Sequence, residues 1–332
     1  MNTLSIREIK AEARDRLSQA QDRKRILLIY AGIILGLTAL VTIVNYILGL
    51  QLDQLGGLRH IGTRKILSTL QTVLPLVQSL ANVCLKVGLV AAMLRIARGQ
   101  YTSPWTLKLG FDRIWVILRC TLFKSLLLSA GICLGVYFGI LIFLNTPLSE
   151  DAMAVLTPYL TQTSVLSSEI LMSDADYLLF SQAMRPAYLI CGGMVSLIVV
   201  PMLYSFRLAY HILIDRPALG ALAVLRESKR IMRGRRLQLL KLDLSLWWYY
   251  AALLFTFVLG YADLILSMLD TSLPLSAEVS YFLFFALYLA ATFLLYVLAL
   301  DRVEVIYALY YDRVKPREAP DNGVVLGNIF QM

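Results

Sequence analysis

Charge is scarce in this sequence. Only 16% of its 332 residues are Asp, Glu, Lys or Arg, whereas soluble domains carry about 25%. A soluble chain of this length needs a polar surface to cover one or two domains. Hydrophobic residues instead make up 58% of the chain. The composition therefore excludes an ordinary soluble protein.

Cysteine and histidine are scarce as well. The two histidines, His60 and His211, are far apart in the chain, which disfavours a histidine metal site. The sequence has no nucleophile elbow, P-loop, zinc motif or glycine-rich dinucleotide motif. We therefore expect no metal, no cofactor and no enzymatic activity. The four cysteines fall inside apolar stretches without disulfide or zinc spacing, and they are Cys84, Cys120, Cys133 and Cys191.

What the sequence has is long apolar runs. The first, from Ile26 to Leu50, holds 25 residues without a charge. About 20 apolar residues let a helix cross about 30 Å of hydrocarbon, where the backbone must satisfy its own hydrogen bonds. The runs predict an all-α integral membrane protein, a single polytopic domain with about six transmembrane helices and amphipathic cytoplasmic connectors. The predicted spans lie near residues 26–50, 66–94, 115–144, 186–208, 239–268 and 281–306.

The basic residues predict the orientation, because Lys and Arg accumulate in cytoplasmic loops. Residues 1–25 hold seven basic side chains and residues 207–241 hold nine, while 145–185 hold five acids and one base. This pattern predicts a plasma-membrane protein with both termini in the cytoplasm, although the basic loop Gln51 to Lys65 goes against it. The non-spanning segments would be an amphipathic helix in 1–25, an external loop at 145–185, a basic cytoplasmic helix at 209–238 and a tail at 314–332.

The net charge of +9 indicates an anionic binding partner. Basic loops of membrane proteins set topology and attract anionic headgroups by about 1 kcal/mol per residue near the surface. Phospholipid is therefore favoured over nucleic acid. In the basic helix, Leu225 and Met232 face apolar surroundings and Gly234 stands where a C-cap turns the chain. The candidate headgroup contacts are Arg226, Lys229, Arg230, Arg233 and Arg236.

A polar stripe runs along the second predicted span. Gln71, Gln78, Asn82 and Lys86 share one helix face. A mid-helix Lys facing lipid costs about 2.5–3.5 kcal/mol, so the stripe must face other helices or a wet cavity. It forms either a polar groove centred on Lys86 or a set of helix–helix hydrogen bonds. Both hypotheses, the polar groove and the helix–helix hydrogen bonds, stay open.

Three acidic residues also fall within predicted spans. They are Asp263 on the fifth span and Asp301 and Glu304 on the sixth. Ionisable groups inside a membrane usually pair with one another. Asp301 and Glu304 are therefore candidate partners for Lys86.

A three-fold repeat is a further hypothesis. A shift of 212 positions aligns Arg14 and Arg23 with Arg226 and Arg235. The unit would be an amphipathic cytoplasmic helix, a span going out and a span coming back, used as three helix hairpins. The positive-inside pattern by itself accounts equally well for these few basic matches.

The stretch from Tyr204 to Tyr250 resembles the bacterial membrane family called domain of unknown function 975. That family has a proline-containing turn, a D-x-P, an E-S-x-x-x-M-x-G helix and an L-x-L-S entry to the next span. The opening, Ile6 to Leu17, is also similar to the family's N-terminus. The resemblance implies a multi-span membrane protein and supplies no activity. The matching positions are Pro201, Asp215, Pro217, Glu227, Ser228, Met232, Gly234, Leu242, Leu244 and Ser245.

These observations favour a non-enzymatic membrane protein that contacts lipid headgroups or other membrane components, including a protein partner. The alternative is a small-solute or lipid transporter built on the polar stripe of the second span. An intramembrane enzyme acting on lipid is a weaker third hypothesis.

Overall fold

The computed structural model describes residues 5–54, 61–150, 153–154, 157, 174–262 and 277–315. The regular elements of these ranges are helices, and no strand occurs among them. The helices are α1 (Ile6–Gln19), α2 (Arg23–Gln54), α3 (Ile61–Ala97), α4 (Leu109–Asp112), α5 (Ile114–Leu144), α6 (Asp174–Ser205), α7 (Ala209–Asp215), α8 (Ala221–Met232), α9 (Arg236–Leu244), α10 (Trp247–Gly260), α11 (Ala277–Leu295) and α12 (Asp301–Val314). A 3₁₀ turn (Pro104–Lys108) precedes α4, and a π turn (Tyr296–Leu300) joins α11 to α12.

The described helices confirm an all-α, multi-pass membrane protein. Five of them are long and apolar enough to cross a membrane, and the bent pair α9 and α10 would make a sixth span. The longest, Glu278–Val314, runs through the π turn without a break. The predicted number of about six spans agrees with this architecture.

Several helices differ from the predicted segments. The basic segment 209–238 is two helices, α7 and α8, because Pro217 lacks an N–H and the chain restarts at Gly220. The predicted fifth span is two helices, α9 and α10, which meet at a bend of 71°. α6 begins at Asp174, inside the predicted loop, since a helix satisfies its backbone in water as well as in lipid. Apolar runs mark the hydrocarbon crossing and leave such helix ends undefined.

Some predictions fall on parts of the chain outside the described residues. These include Asp263, most of the loop 145–185 and the tail from 316 onwards. The three-fold repeat and the cytoplasmic placement of the termini stay predictions.

The chain forms two compact units. The first comprises Met1–Leu118, Tyr210–Leu219 and Leu237–Met332. The second comprises Arg119–Ala209 and Gly220–Arg236. The second unit therefore holds most of α5, all of α6 and the basic helix α8.

In the first unit, α1 packs against α12. Ile9, Ala13 and Leu17 recur every four residues and are at most 3% exposed, so they form the apolar stripe of one helix face. Arg313 on α12 forms ion pairs with Glu8 and Glu12 of α1 at 3.8 and 2.5 Å. The apolar face of the amphipathic N-terminal helix is therefore covered by protein.

Two glycines in the first unit allow close backbone contact. A Cβ at Gly88 of α3 would lie 2.2 Å from the carbonyl oxygen of Leu107, and one at Gly110 would lie 1.8 Å from that of Cys84. No side chain fits at either position. The 3₁₀ turn and α4 consequently lie directly on the backbone of α3.

In the second unit, α5 and α6 pack along a glycine stripe. Gly131, Gly135 and Gly139 are four residues apart and share one face of α5. A Cβ at Gly135 would lie 2.6 Å from the Cα of Val195, and a Cβ at Gly139 would lie 2.6 Å from the Cα of Cys191. Small residues at this spacing let membrane helices approach closely and associate by van der Waals packing. The stripe sets the distance between α5 and α6.

We predict that Gly135→Ala destabilises this helix pair. The new methyl group must displace the backbone of α6, and overpacking of this kind costs about 1–3 kcal/mol. The midpoint of thermal unfolding in detergent, followed by tryptophan fluorescence, should fall. Gly193→Ala on α6 is the matched control, because nothing lies within 4 Å of its Cβ position. Equal midpoints for the two variants would contradict the packing described here.

Candidate functional site

The basic helix α8 is amphipathic in the structure. Val224, Leu225, Ile231 and Met232 are at most 7% exposed and recur at helical spacing on one side. The basic side chains of this helix occupy the other side, where Arg226, Lys229 and Arg230 are exposed. Burial of the apolar side fixes the direction in which the cations point.

Five basic side chains surround one concavity of about 470 Å³. They are Arg226, Lys229, Arg230, Arg233 and Arg236, the five candidates taken from the sequence. Arg230 pairs with Glu227 at 2.7 Å. Within the described parts of the chain, the other four form no ion pair at 4.0 Å or less. We call this concavity the cationic pocket.

An apolar groove of about 380 Å³ lies beside the cationic pocket. Its walls come from α5, the end of α6 and the buried edge of α8, together with three of the five basic residues, Arg226, Lys229 and Arg236. The apolar side chains that line it are Leu127, Pro201, Met202, Phe206, Leu222 and Leu225. This groove could not be predicted from the sequence, because its walls come from distant parts of the chain.

Residues of the E-S-x-x-x-M-x-G motif hold α8 in place. The Ser228 hydroxyl, fully buried, donates to the carbonyl of Ser205 at 2.8 Å. Met232 is also fully buried. Gly234 has φ +79°, a left-handed conformation that glycine adopts without a Cβ clash. The motif thus docks α8 and turns the chain after it.

The end of α6 uses a proline and a serine. Pro201 lies inside the helix, where the missing N–H removes one backbone hydrogen bond. The Ser205 hydroxyl donates to the carbonyl of Pro201 at 2.6 Å. The last turn of α6 is therefore held by Ser205, and Ser228 satisfies the carbonyl of Ser205 itself.

The polar stripe of α3 lies partly against α2. The Gln78 amide donates to the Thr38 hydroxyl at 2.9 Å, and the Gln71 amide nitrogen lies 3.9 Å from the Cβ position of Gly49. Asn82 is half-buried and Lys86 is exposed. Gln78 thus serves helix–helix contact. The transport groove stays a prediction.

Asp301 and Glu304, the two candidate acids that the structure describes, form no ion pair with Lys86. Asp301 accepts from the N–H of Arg302 at 2.7 Å and faces Arg23 at 3.8 Å. Among the residues that the structure describes, neither Lys86 nor Glu304 takes part in an ion pair at 4.0 Å or less. The pairing expected for Lys86 with Asp301 or Glu304 is absent there, because Arg23 already meets Asp301.

A second polar cluster surrounds Asp215, the acid of the D-x-P motif. Arg98 donates to Asp215 and Asp312 at 2.7 Å each. Lys315 lies 3.3 Å from Asp215 and 3.0 Å from Asp312, and the Tyr311 hydroxyl donates to Asp215 at 3.0 Å. Burial by itself would lower the pKa of Arg98, but the hydrogen bonds and charges of Asp312 and Asp215 raise it above its usual value. The two basic side chains balance the two acids in charge, and their contacts join the ends of α3, α7 and α12.

A metal centre is not found in the described residues, where no group of three or more His, Cys, Asp or Glu side chains converges. Sequence reasoning also missed two structural features. The G-x-x-x-G-x-x-x-G spacing at Gly131, Gly135 and Gly139 was readable and would have indicated the close pairing of α5. The Arg98 cluster had no local signal, since Arg98, Asp215 and Asp312 come from distant parts of the chain.

We predict that Ser228→Ala loosens α8. The substitution leaves the buried Ser205 carbonyl without its donor, which costs about 1–3 kcal/mol. Trypsin cleavage within 226–236 requires local unfolding, so its rate should rise by about fivefold or more. Ser125→Ala on α5 is the control, because the Ser125 hydroxyl is exposed and bonds only the Leu122 carbonyl of its own helix. Equal cleavage rates in the two variants would show that Ser228 does not hold the helix.

Comparison with known proteins identifies the family. No curated protein and no solved structure matches the chain. One family model, described as protein of unknown function (DUF975), matches residues 1–318. The resemblance carried by the segment from Tyr204 to Tyr250 is thereby confirmed. Since this match covers nearly the whole sequence, the chain belongs to the DUF975 family.

Proposed function

We propose that this multi-pass protein is non-enzymatic and associates with anionic lipid headgroups through α8 on the cytoplasmic side of the plasma membrane. One observation carries the proposal. Five basic side chains, three on α8 and two directly after it, surround a single concavity.

The chemistry of the cationic pocket suits phosphate groups. Four of its five residues are arginines, whose planar guanidinium donates two parallel hydrogen bonds to phosphate oxygens. Only Arg230 has an acidic partner within 4.0 Å among the described residues, namely Glu227. The remaining positive charge is available to headgroups, at about 1 kcal/mol per residue near an anionic surface.

The position of α8 in the chain supports the same proposal. It follows a helix long enough to span a membrane and precedes the bent pair α9 and α10. Residues 207–241 hold nine basic side chains, which the positive-inside rule assigns to the cytoplasm. Anionic lipid is the main source of negative charge on that leaflet.

We predict that the combined variant Arg226→Gln, Lys229→Gln and Arg233→Gln loses most of the stabilisation that anionic lipid gives. The wild-type protein should unfold at a higher temperature in bilayer discs of phosphatidylcholine with phosphatidylglycerol than in phosphatidylcholine alone. At about 1 kcal/mol per residue, the variant should lose about 3 kcal/mol of interaction. The wild-type increment should also shrink with added salt, because exposed charges are screened.

The matched control neutralises Arg7, Arg14 and Lys24. These residues are exposed and lie on α1 and at the start of α2. Changing them to Gln removes three positive charges, as in the α8 variant. The control should keep its phosphatidylglycerol increment. If both variants lose it equally, total charge is responsible and α8 has no special role. If neither loses it, the headgroup proposal is wrong.

A further inference from the structure

The cationic pocket and the apolar groove share three residues. Arg226, Lys229 and Arg236 line both volumes. The cationic pocket is therefore continuous with the apolar groove, and both lie within the second unit. A general attraction to a negative surface requires only the charges and leaves the groove without a role.

The groove has the character of a binding site for alkyl chain. Its volume of about 380 Å³ falls within the range of about 300–1,000 Å³ that is usual for ligand pockets. Leu222 on its rim is 47% exposed, whereas Leu225 on its wall is 3% exposed. An alkyl chain between them would pack against the apolar side chains of the groove and gain dispersion contacts.

Arg236 supplies an unused donor at the junction. Its Nε is buried and has no hydrogen-bond partner in the described part of the chain. Buried donors of this kind are usually satisfied. Because Arg236 lines both volumes, an acceptor bound at the junction lies beside its side chain.

The two volumes together select an amphiphile. A soluble organic phosphate would leave the groove unfilled, and an uncharged lipid would leave four of the five cations, all except Arg230, without an acidic partner among the described residues. A single carboxylate is smaller than a pocket of about 470 Å³ lined by five basic residues. A phospholipid has a phosphate joined through glycerol to acyl chains, which matches a cationic pocket that opens onto an apolar groove.

We infer that the second unit binds one molecule of anionic phospholipid as a discrete ligand. Its phosphate contacts Arg226, Lys229 and Arg236, its headgroup extends towards Arg230 and Arg233, and one acyl chain occupies the groove. This inference rests on the proposed function for the headgroup and adds the single-molecule stoichiometry and the acyl chain.

The test counts bound phospholipid by native mass spectrometry of the full chain released from neutral detergent with added dioleoyl phosphatidylglycerol. Leu222→Trp fills the groove from its exposed rim and leaves the cations in place. Leu197→Trp on α6 is the matched control, since Leu197 is 68% exposed and does not line the groove. We expect one retained phospholipid in the wild type and in Leu197→Trp. Affinity in Leu222→Trp should fall by about tenfold or more, because the indole ring takes the place of the acyl chain and about ten dispersion contacts of about 0.1–0.2 kcal/mol each are lost.

A second measurement uses the unaltered protein, so that it does not depend on the folding of a variant. Phosphatidylglycerol with a photoreactive group near the end of one acyl chain should crosslink to groove residues such as Leu127, Met202 or Leu222. Glycerophosphoglycerol, the same headgroup without acyl chains, should not compete. Equal competition would identify a site for soluble organic phosphates and overturn the inference.

The remaining outcomes separate the inference from the proposed function. If Leu222→Trp binds phosphatidylglycerol as the wild type does, and the variant with Arg226, Lys229 and Arg233 changed to Gln does not, headgroup contact stands and the groove has no ligand role. If all variants bind equally, both the inference and the proposed function fail. Crosslinks spread along the exposed faces of α5 and α6 would indicate bulk lipid and overturn the discrete site.

Discussion

The carbonyl groups at helix ends are the constraint on which much of this structure depends. A helix leaves its last carbonyls without backbone partners. In an apolar environment an unsatisfied carbonyl is costly. The chain satisfies these groups with distant side chains. Ser228 donates to the carbonyl of Ser205 at the end of α6, and Lys10 donates to the carbonyl of Ser245 at the break between α9 and α10, at 2.7 Å. Each contact that completes a helix end also positions another helix.

Glycines and ion pairs also position helices in this structure. At Gly135 the backbones of α5 and α6 are so close that a side chain at this position would clash with Val195. Arg98 is held between two carboxylates, and the cost of burying three charges is offset by their geometry. In α8 the cations have no such partners, apart from Arg230 within the described residues. This contrast distinguishes charges that hold the fold from charges that are available to a ligand, and it is the reason that a site is placed at α8.

Much of the architecture could be predicted from the sequence, and the reasons are physical. Apolar runs such as Ile26 to Leu50 indicate spans because hydrocarbon tolerates few alternatives to a helix. The amphipathic pattern of α8 likewise indicated which side its cations take. The 71° bend after Leu244 and the groove beside Pro201 could not be predicted, since both depend on contacts between distant segments. The predicted pair of Lys86 with Asp301 is absent for the same reason, because the sequence does not reveal that Arg23 lies near Asp301.

The contacts of α1 have a consequence for biosynthesis. This helix leaves the ribosome long before α12, yet Lys10 bonds to Ser245 and Glu12 pairs with Arg313. At about 5–20 residues per second, roughly 15–60 s of translation separate α1 from its partner on α12. During that interval Ile9 and the rest of its apolar stripe lack the surface of α12 against which they pack in the folded protein. The N-terminal helix therefore docks on α12 only after the last of the described helices has been made.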